Sequence, residues 1–227
     1  MRQPGVGIPM KPSSAPVVDT TRSPFCRLHG LPISSVRLSS GFLGERIRSV
    51  RRGADRLLEL LEEHGVVDNF RRVSGRKKVP RRGALFTDSD LYKWMEAASF
   101  YIQQGDRSLA QTLDTLVEVV SAAQQADGYL NTYFVDERAA ERFTDFANKH
   151  ELYCAGHLIQ AAVAHHRATG DKELLHTAIR FADLLAGTFG PGRREAFSGH
   201  PEVEMALVEL YRETGNKQFL DLAGYLL

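Results

Sequence analysis

Two polar segments interrupt an otherwise helical pattern: Asp127-Gly128-Tyr129-Leu130-Asn131-Thr132-Tyr133-Phe134 and His150-Glu151-Leu152-Tyr153-Cys154-Ala155-Gly156-His157-Leu158. Each sets carboxylate, amide, phenol or imidazole groups beside a glycine where a helix should begin or end, and connections at helix ends are where sites are built. His150 falls at the start of a helix expected over about 152–168. The positive end of the helix dipole disfavours an imidazolium there, leaving a neutral ring that can hydrogen-bond a hydroxyl. A purely capping histidine would occupy the same position. Asp127, Tyr129, Asn131, Thr132 and Tyr133 suit a surface on which aromatic faces cover the C–H side of a sugar and short polar groups take its hydroxyls. A turn at Asp127-Gly128 with both tyrosines packed inward accounts for the same residues equally well.

A third segment, Ser198-Gly199-His200-Pro201-Glu202, opens another helix. Pro201 suits the first helical position, and Glu202 and Glu204 suit the first turn as capping, solvated carboxylates. His200 should then project from the same kind of helix mouth as His150. No second carboxylate can be set opposite Glu202 and Glu204 as a glycosidase dyad. His150 and His157, two helical turns apart, fall short of the roughly four convergent ligands a metal needs. Cys154 has no base beside it and reads as a packing residue.

What must position these groups is a helical array. Ile47, Val50, Ala54, Leu57, Leu58 and Leu61 recur at helical spacing from Glu45 to a glycine stop at Gly65. The alternation around Ile33, Val36 and Leu38 predicts a short extended segment within 31–42. Asp88-Ser89-Asp90 predicts an N-cap for a helix over 91–104, and a further helix follows over 108–123. The turn Thr169-Gly170-Asp171-Lys172 returns as Thr214-Gly215-Asn216-Lys217, so the glycines at 170 and 215 are 45 residues apart. A period of that length with one helix–turn–helix per unit predicts an all-α chain of repeated αα-hairpins. The long polar connections precede Leu91, His157 and His200, whereas the turns inside hairpins are short. That asymmetry favours a toroid of inner and outer helices with one site-bearing mouth over an open solenoid.

Bulk properties narrow the partners. With 29 Lys and Arg against 28 Asp and Glu, the formal charge of +1 gives no global field for nucleic acid or an anionic membrane. Seven basic residues lie between Arg71 and Arg82, but without interleaved aromatics they read as a solvated loop. No apolar run approaches the ~20 residues that span a bilayer. Two cysteines, Cys26 and Cys154, make no disulfide framework, so a cytoplasmic setting is expected. Residues 1–16, rich in Pro, Gly and Ser, are expected to be a disordered lead-in.

From about Val17 to Leu227 the chain resembles glycoside hydrolase family 127, the β-L-arabinofuranosidase-like family. The resemblance is carried by Leu31 to Leu38, Gly41-Phe42-Leu43-Gly44-Glu45-Arg46, Asp68-Asn69-Phe70-Arg71-Arg72, Asp88 to Trp94, Gln125 to Phe134, His150 to Leu158, and Gly199-His200-Pro201-Glu202-Val203-Glu204. It implies an α/α six-hairpin barrel followed by β-sandwich domains, and hydrolysis of terminal β-L-arabinofuranosyl units with retention. It further implies a zinc ion, held by cysteines and a glutamate, that carries a cysteine nucleophile, with another glutamate as general acid/base. A zinc-held thiolate is a credible nucleophile because the metal fixes its ionisation and position. All of those groups come later in the family's sequence than Leu227. Residues 17–227 are therefore expected to be the N-terminal part of the catalytic domain, truncated at its C-terminus, an incomplete barrel with no catalytic residue and no zinc of its own. The expected carbohydrate contacts are His150, His200, Asp127 and Tyr129. A non-catalytic helical-repeat carbohydrate-binding protein or an inactive gene fragment would carry the same residues.

Overall fold

The repeated Thr-Gly turn builds the same helix cap twice. Gly170 and Gly215 both take left-handed backbone, with φ of 77° and 75°, and each donates its N–H to the carbonyl four residues back, His166 O and Tyr211 O, at 2.7 Å. A glycine lacks the Cβ that penalises this conformation, so it ends one helix and turns the chain into the next. In the computed structural model, which describes residues 16–227, the elements run α1 (Gly41–Glu63), α2 (Val66–Val73), α3 (Asp88–Gln103), α4 (Ala110–Ser121), α5 (Glu151–Thr169), α6 (Glu173–Thr188), α7 (Val203–Thr214) and α8 (Lys217–Leu226). Residues 1–15 of the expected lead-in lie outside the described residues.

The helices form an arc two layers deep. α3, α5 and α7 neighbour one another in the inner layer, α4, α6 and α8 in the outer, and α5 also packs on α6 and α7 on α8. This is the all-α arrangement of paired inner and outer helices that the period predicts; among the described residues no strand forms beyond an isolated bridge between Phe189 and Arg194. α5 is the middle inner helix and is buried almost all round, through Leu152, Ala155, Leu158, Ile159, Ala162 and Val163. A helix apolar on every side belongs in an interior. Small residues let its neighbours approach: a Cβ on Gly156 would lie 2.7 Å from Glu202 Cγ and 2.9 Å from Val203 N. Residues equivalent in the repeat take equivalent places, since Leu174, Phe219, Ala178 and Ala223 are all buried.

Several local expectations are corrected. The segment 31–42 holds a 3-10 turn at Ile33–Ser35 and the start of α1, not a strand, because no partner strand is available to pair it. α2 is a further helix, and it takes up the first part of the basic run. There Arg71 binds Glu62 and Asp68 and Arg72 binds Asp136. α3 starts at Asp88 itself. The Asp88 carboxylate caps nothing and instead accepts from Thr132 N at 2.6 Å and Thr132 Oγ1 at 2.5 Å, tying the 127–134 loop to the head of α3.

Candidate functional site

The loops before α5 and α7 meet at one end of the inner layer. His150 is the residue before α5 and is itself left-handed, with φ of 55°. That strain, worth on the order of 1 kcal/mol in a non-glycine residue, is offset by its surroundings. Its Nδ1 lies 2.7 Å from Asn148 O, and its ring is flanked by Phe86 at 5.2 Å and His200 at 4.2 Å between centroids. A carbonyl accepts only, so Nδ1 carries the proton, and in the neutral ring Nε2 is left as an acceptor. His200 is aimed by Gly199, whose φ of 72° and contact with Phe146 leave no space for a Cβ. The Nε2 of His200 is buried and has no hydrogen-bond partner. The structure thus brings together the two histidines that the sequence singles out, half-buried and at one mouth.

Tyr153, one turn into α5, links the pair to the interior. Its ring meets His150 at 6.0 Å, His200 at 5.9 Å and His157 at 4.5 Å, all edge-on, and its hydroxyl accepts from Lys93 Nζ of α3 at 2.8 Å. Below it, His157 Nδ1 lies 3.3 Å from Glu202 Oε1. This contact is not an ion pair at neutral pH, since burial, helped by Lys93, pushes His157 down to about 4. Burial likewise raises Glu202. Glu96 of α3 is pushed up to about 7, first by burial and then by the charge of Glu202.

Glu202 and Glu204 are therefore not solvated caps. α7 begins at Val203, two residues later than Pro201 predicts, no side-chain cap bond forms, and Glu204 is 7% exposed. The charge of Glu202 reaches Glu96 of α3, a carboxyl on the neighbouring inner helix. Phe86, Lys93 and Glu96 are the site-facing residues that the sequence reading does not single out. The signal was the pair of charged residues at 93 and 96, set three apart among the buried Leu91, Tyr92, Trp94 and Met95 of α3.

Tyr129 lies in the core, and Asp127 stands on the exposed turn that leads to it. Tyr129 has no accessible surface and packs edge-on against Phe143 and Phe181, as the inward-packed alternative has it, whereas Tyr133 is only partly buried, with Arg81 and Arg138 over its ring. Its hydroxyl donates to Glu151 Oε1 at 2.5 Å, while Glu151 Oε2 accepts from Phe143 N at 2.7 Å. Glu151, 3% exposed, thereby pins the whole 127–143 loop to the residue after His150. Asp127 closes its own turn by accepting from Tyr129 N at 3.0 Å and pairs with Arg142 at 3.1 Å.

The donor set does not fit the zinc that the resemblance implies. Among the described residues no three His, Cys, Asp or Glu converge as ligands. Cys154 is buried with its thiol pushed well up by burial, and metals bind the thiolate; Cys26 is exposed and apart. Nor is any described helix long and apolar enough to cross a membrane.

The chain is similar to known proteins in both sequence and fold. The chain is 39% identical over 168 residues to the non-reducing end β-L-arabinofuranosidase of Bifidobacterium longum subsp. longum, a match covering 71% of this chain and 26% of that protein. The crystal structure of Ara127N-Se, a GH127 β-L-arabinofuranosidase from Geobacillus stearothermophilus T6, superposes with a TM-score of 0.79 at 36% identity, over 84% of this chain and 32% of that one. The GH127 β-arabinofuranosidase BT3674 gives 0.78 at 34% identity, over 86% and 33%. The chain thus spans between a quarter and a third of the length of these relatives. Residues 35–227 match the model of the β-L-arabinofuranosidase GH127 catalytic domain, and the chain belongs to that family.

Proposed function

We propose that this chain forms the sugar-recognition wall of a β-L-arabinofuranosidase site, with His150 and His200 binding the hydroxyls of a terminal furanosyl unit. The observation that carries the reading is the histidine stack itself: one ring has its tautomer set by Asn148 O, and the other has a buried Nε2 without a partner. A fixed acceptor beside an unpaired polar nitrogen matches adjacent sugar hydroxyls, each of which can both donate and accept. Phe86 and Tyr153 supply apolar faces and hold the rings in register. Tyr129 and Asp127 act from behind, through Glu151 and the loop turn, and do not touch the sugar.

The chemistry that the family implies, zinc with its cysteine nucleophile and a glutamate acid/base acting with retention, would come from outside residues 1–227. In this reading the chain is an incomplete catalytic domain, inactive alone, and its free cysteines suit the cytoplasm. The test is titration of the protein with methyl β-L-arabinofuranoside while the imidazole resonances are followed by NMR. Shifts confined to His150 and His200 are expected; unshifted rings at saturating sugar would overturn the reading.

A further inference from the structure

Among the described residues from 58 to 226, three large apolar side chains are exposed, Phe86, Phe197 and Met205, and both phenylalanines stand on loops that lead into inner helices at the mouth. Phe86 lies against His150 and belongs to the site already described. Phe197, 57% exposed, comes three residues before His200 on the loop before α7. A ring left so open contributes little to folding, since apolar area stabilises only where water is removed from it. Its position is nevertheless fixed. A ladder of edge-on aromatic contacts runs to it from the core: Tyr129 meets Phe143 at 5.5 Å, Phe143 meets Phe189 at 5.2 Å, Phe189 meets Phe146 at 5.6 Å and Phe146 meets Phe197 at 5.8 Å between centroids. Tyr129, Phe143 and Phe189 are buried and Phe146 is half-buried. Arg194 ties the same loop down by donating to Phe143 O, and Gly199 abuts Phe146 O. The loops before α5 and α7 thus touch twice, through Phe146 and Phe197 and through His150 and His200. The three-residue step from Phe197 to His200 spans at most about 11 Å. The exposed ring therefore stands within reach of a group joined to whatever the histidines hold.

We propose that Phe197 is the platform of a second sugar subsite, stacking on the C–H face of the sugar ring to which the terminal furanosyl unit at His150 and His200 is joined. The inference rests on the proposed sugar contacts of those two histidines and assigns the position next to them. The class of ligand follows from the residue. Phenylalanine has neither donor nor acceptor, so it favours a ring with an apolar face over a small alkyl group and is indifferent to how the hydroxyls are arranged around that ring's edge. Because the aromatic ladder fixes the phenyl ring before a ligand arrives, little ordering cost is set against the contact. A ring that only sealed the end of the ladder would be covered, as Phe143 and Phe189 are. The two loop contacts therefore divide the recognition: the histidines identify the terminal unit, and Phe197 identifies that the unit is attached to a further sugar.

The experiment compares two ligands of the full chain by NMR titration: methyl β-L-arabinofuranoside, and the disaccharide in which a second L-arabinose replaces the methyl group. The disaccharide should bind about three- to tenfold more tightly, the size of one well-placed aromatic contact. Phe197→Ala should remove that advantage and leave the affinity for the methyl glycoside as it was, and Phe197→Tyr should retain it. Phe25→Ala, which removes a ring 90% exposed on the N-terminal segment, should alter neither affinity. Thermal melts of all variants should stay close to the parent's, because both rings are exposed. Equal affinities in the parent, or an advantage that survives Phe197→Ala, overturn the inference and leave the histidine site standing. Loss of affinity for both ligands alike in Phe197→Ala also overturns it, since the ring would then support the mouth and not a second sugar. Failure of the parent to bind either ligand overturns the histidine reading, and the platform with it.

Discussion

The imidazoles of His150 and His200 lie 4.2 Å apart although one closes the loop before α5 and the other the loop before α7. Neither lies on an apolar helix stripe, so both can be shortened without opening the core. In an active catalytic domain containing this chain, His150→Ala and His200→Ala should each lower kcat/KM by roughly tenfold, as expected for losing a hydrogen bond to a neutral hydroxyl together with ring alignment. Steady-state kinetics beside thermal melts check this. A collapsed melting temperature with normal kinetics on the folded fraction would make the histidines structural.

The chain by itself should hydrolyse no β-L-arabinofuranoside and hold no stoichiometric zinc. Elemental analysis of purified protein after dialysis decides the second point. One tightly held zinc per chain would mean that Cys154 and the histidines are ligands after all.

Tyr129→Phe should cost stability and leave sugar affinity alone. Removing the hydroxyl strips Glu151 Oε1 of its donor in a buried place, a loss of about 1–3 kcal/mol. Chemical denaturation gives the first quantity and sugar titration the second; a variant with parental stability and weakened binding would put Tyr129 in contact with the ligand.

Two opposed titrations sit within the inner layer, and their signs differ. Glu96 has its pKa raised from 4.5 to about 7, so its contribution is fully present below 4.5 and is lost as pH rises through 7. His157 is lowered from 6.5 to about 4, so its contribution is present above 6.5 and is lost as pH falls through 4. The expected sizes are about 2–3 kcal/mol for Glu96 and, with residual solvent screening, about 1–2 kcal/mol for His157. Relative to the parent, Glu96→Gln should lose stability on acidification between pH 4.5 and 6.5, whereas His157→Gln should gain it. Urea denaturation at a series of pH values reads both slopes, and parallel curves for the two variants would refute the assignment.

Gly199→Ala should displace His200. The new Cβ meets Phe146 O in a backbone conformation that already disfavours it, for a cost of several kcal/mol if the loop holds and loss of the histidine stack if it yields. NMR shifts of the His200 ring, compared with those of His165 deep in α5, separate the two responses.

Much of the architecture was readable because helix periodicity and the two glycine turns are local signals. Gly170 and Gly215 announce their caps in the sequence, and the apolar stripes of α3 to α8 follow the 3.6-residue period. What was not readable depends on distant partners. Asp88 looks like a cap until Thr132, 44 residues away, takes its carboxylate. Tyr129 looks equally suited to sugar or core until Glu151 and Phe143 close over it. Glu96 comes within reach of the charge of Glu202 only once α3 and α7 flank α5. His150 and His200 could be singled out because both stand at helix starts, His200 between Gly199 and Pro201, but the stacking between them is a property of the assembled arc.

Gly156 fixes the spacing between α5 and the start of α7 by main-chain contact, and Gly199 does the same between the two mouth loops. The width of the mouth is therefore a property of the backbone, independent of which side chains line it. The lining residues can change without disturbing the frame, whereas a Cβ at either glycine collides with the backbone of the facing segment and must displace it. Tolerance and fragility are thus partitioned by position: substitutions at the rim leave the frame in place, and substitutions at these two glycines do not.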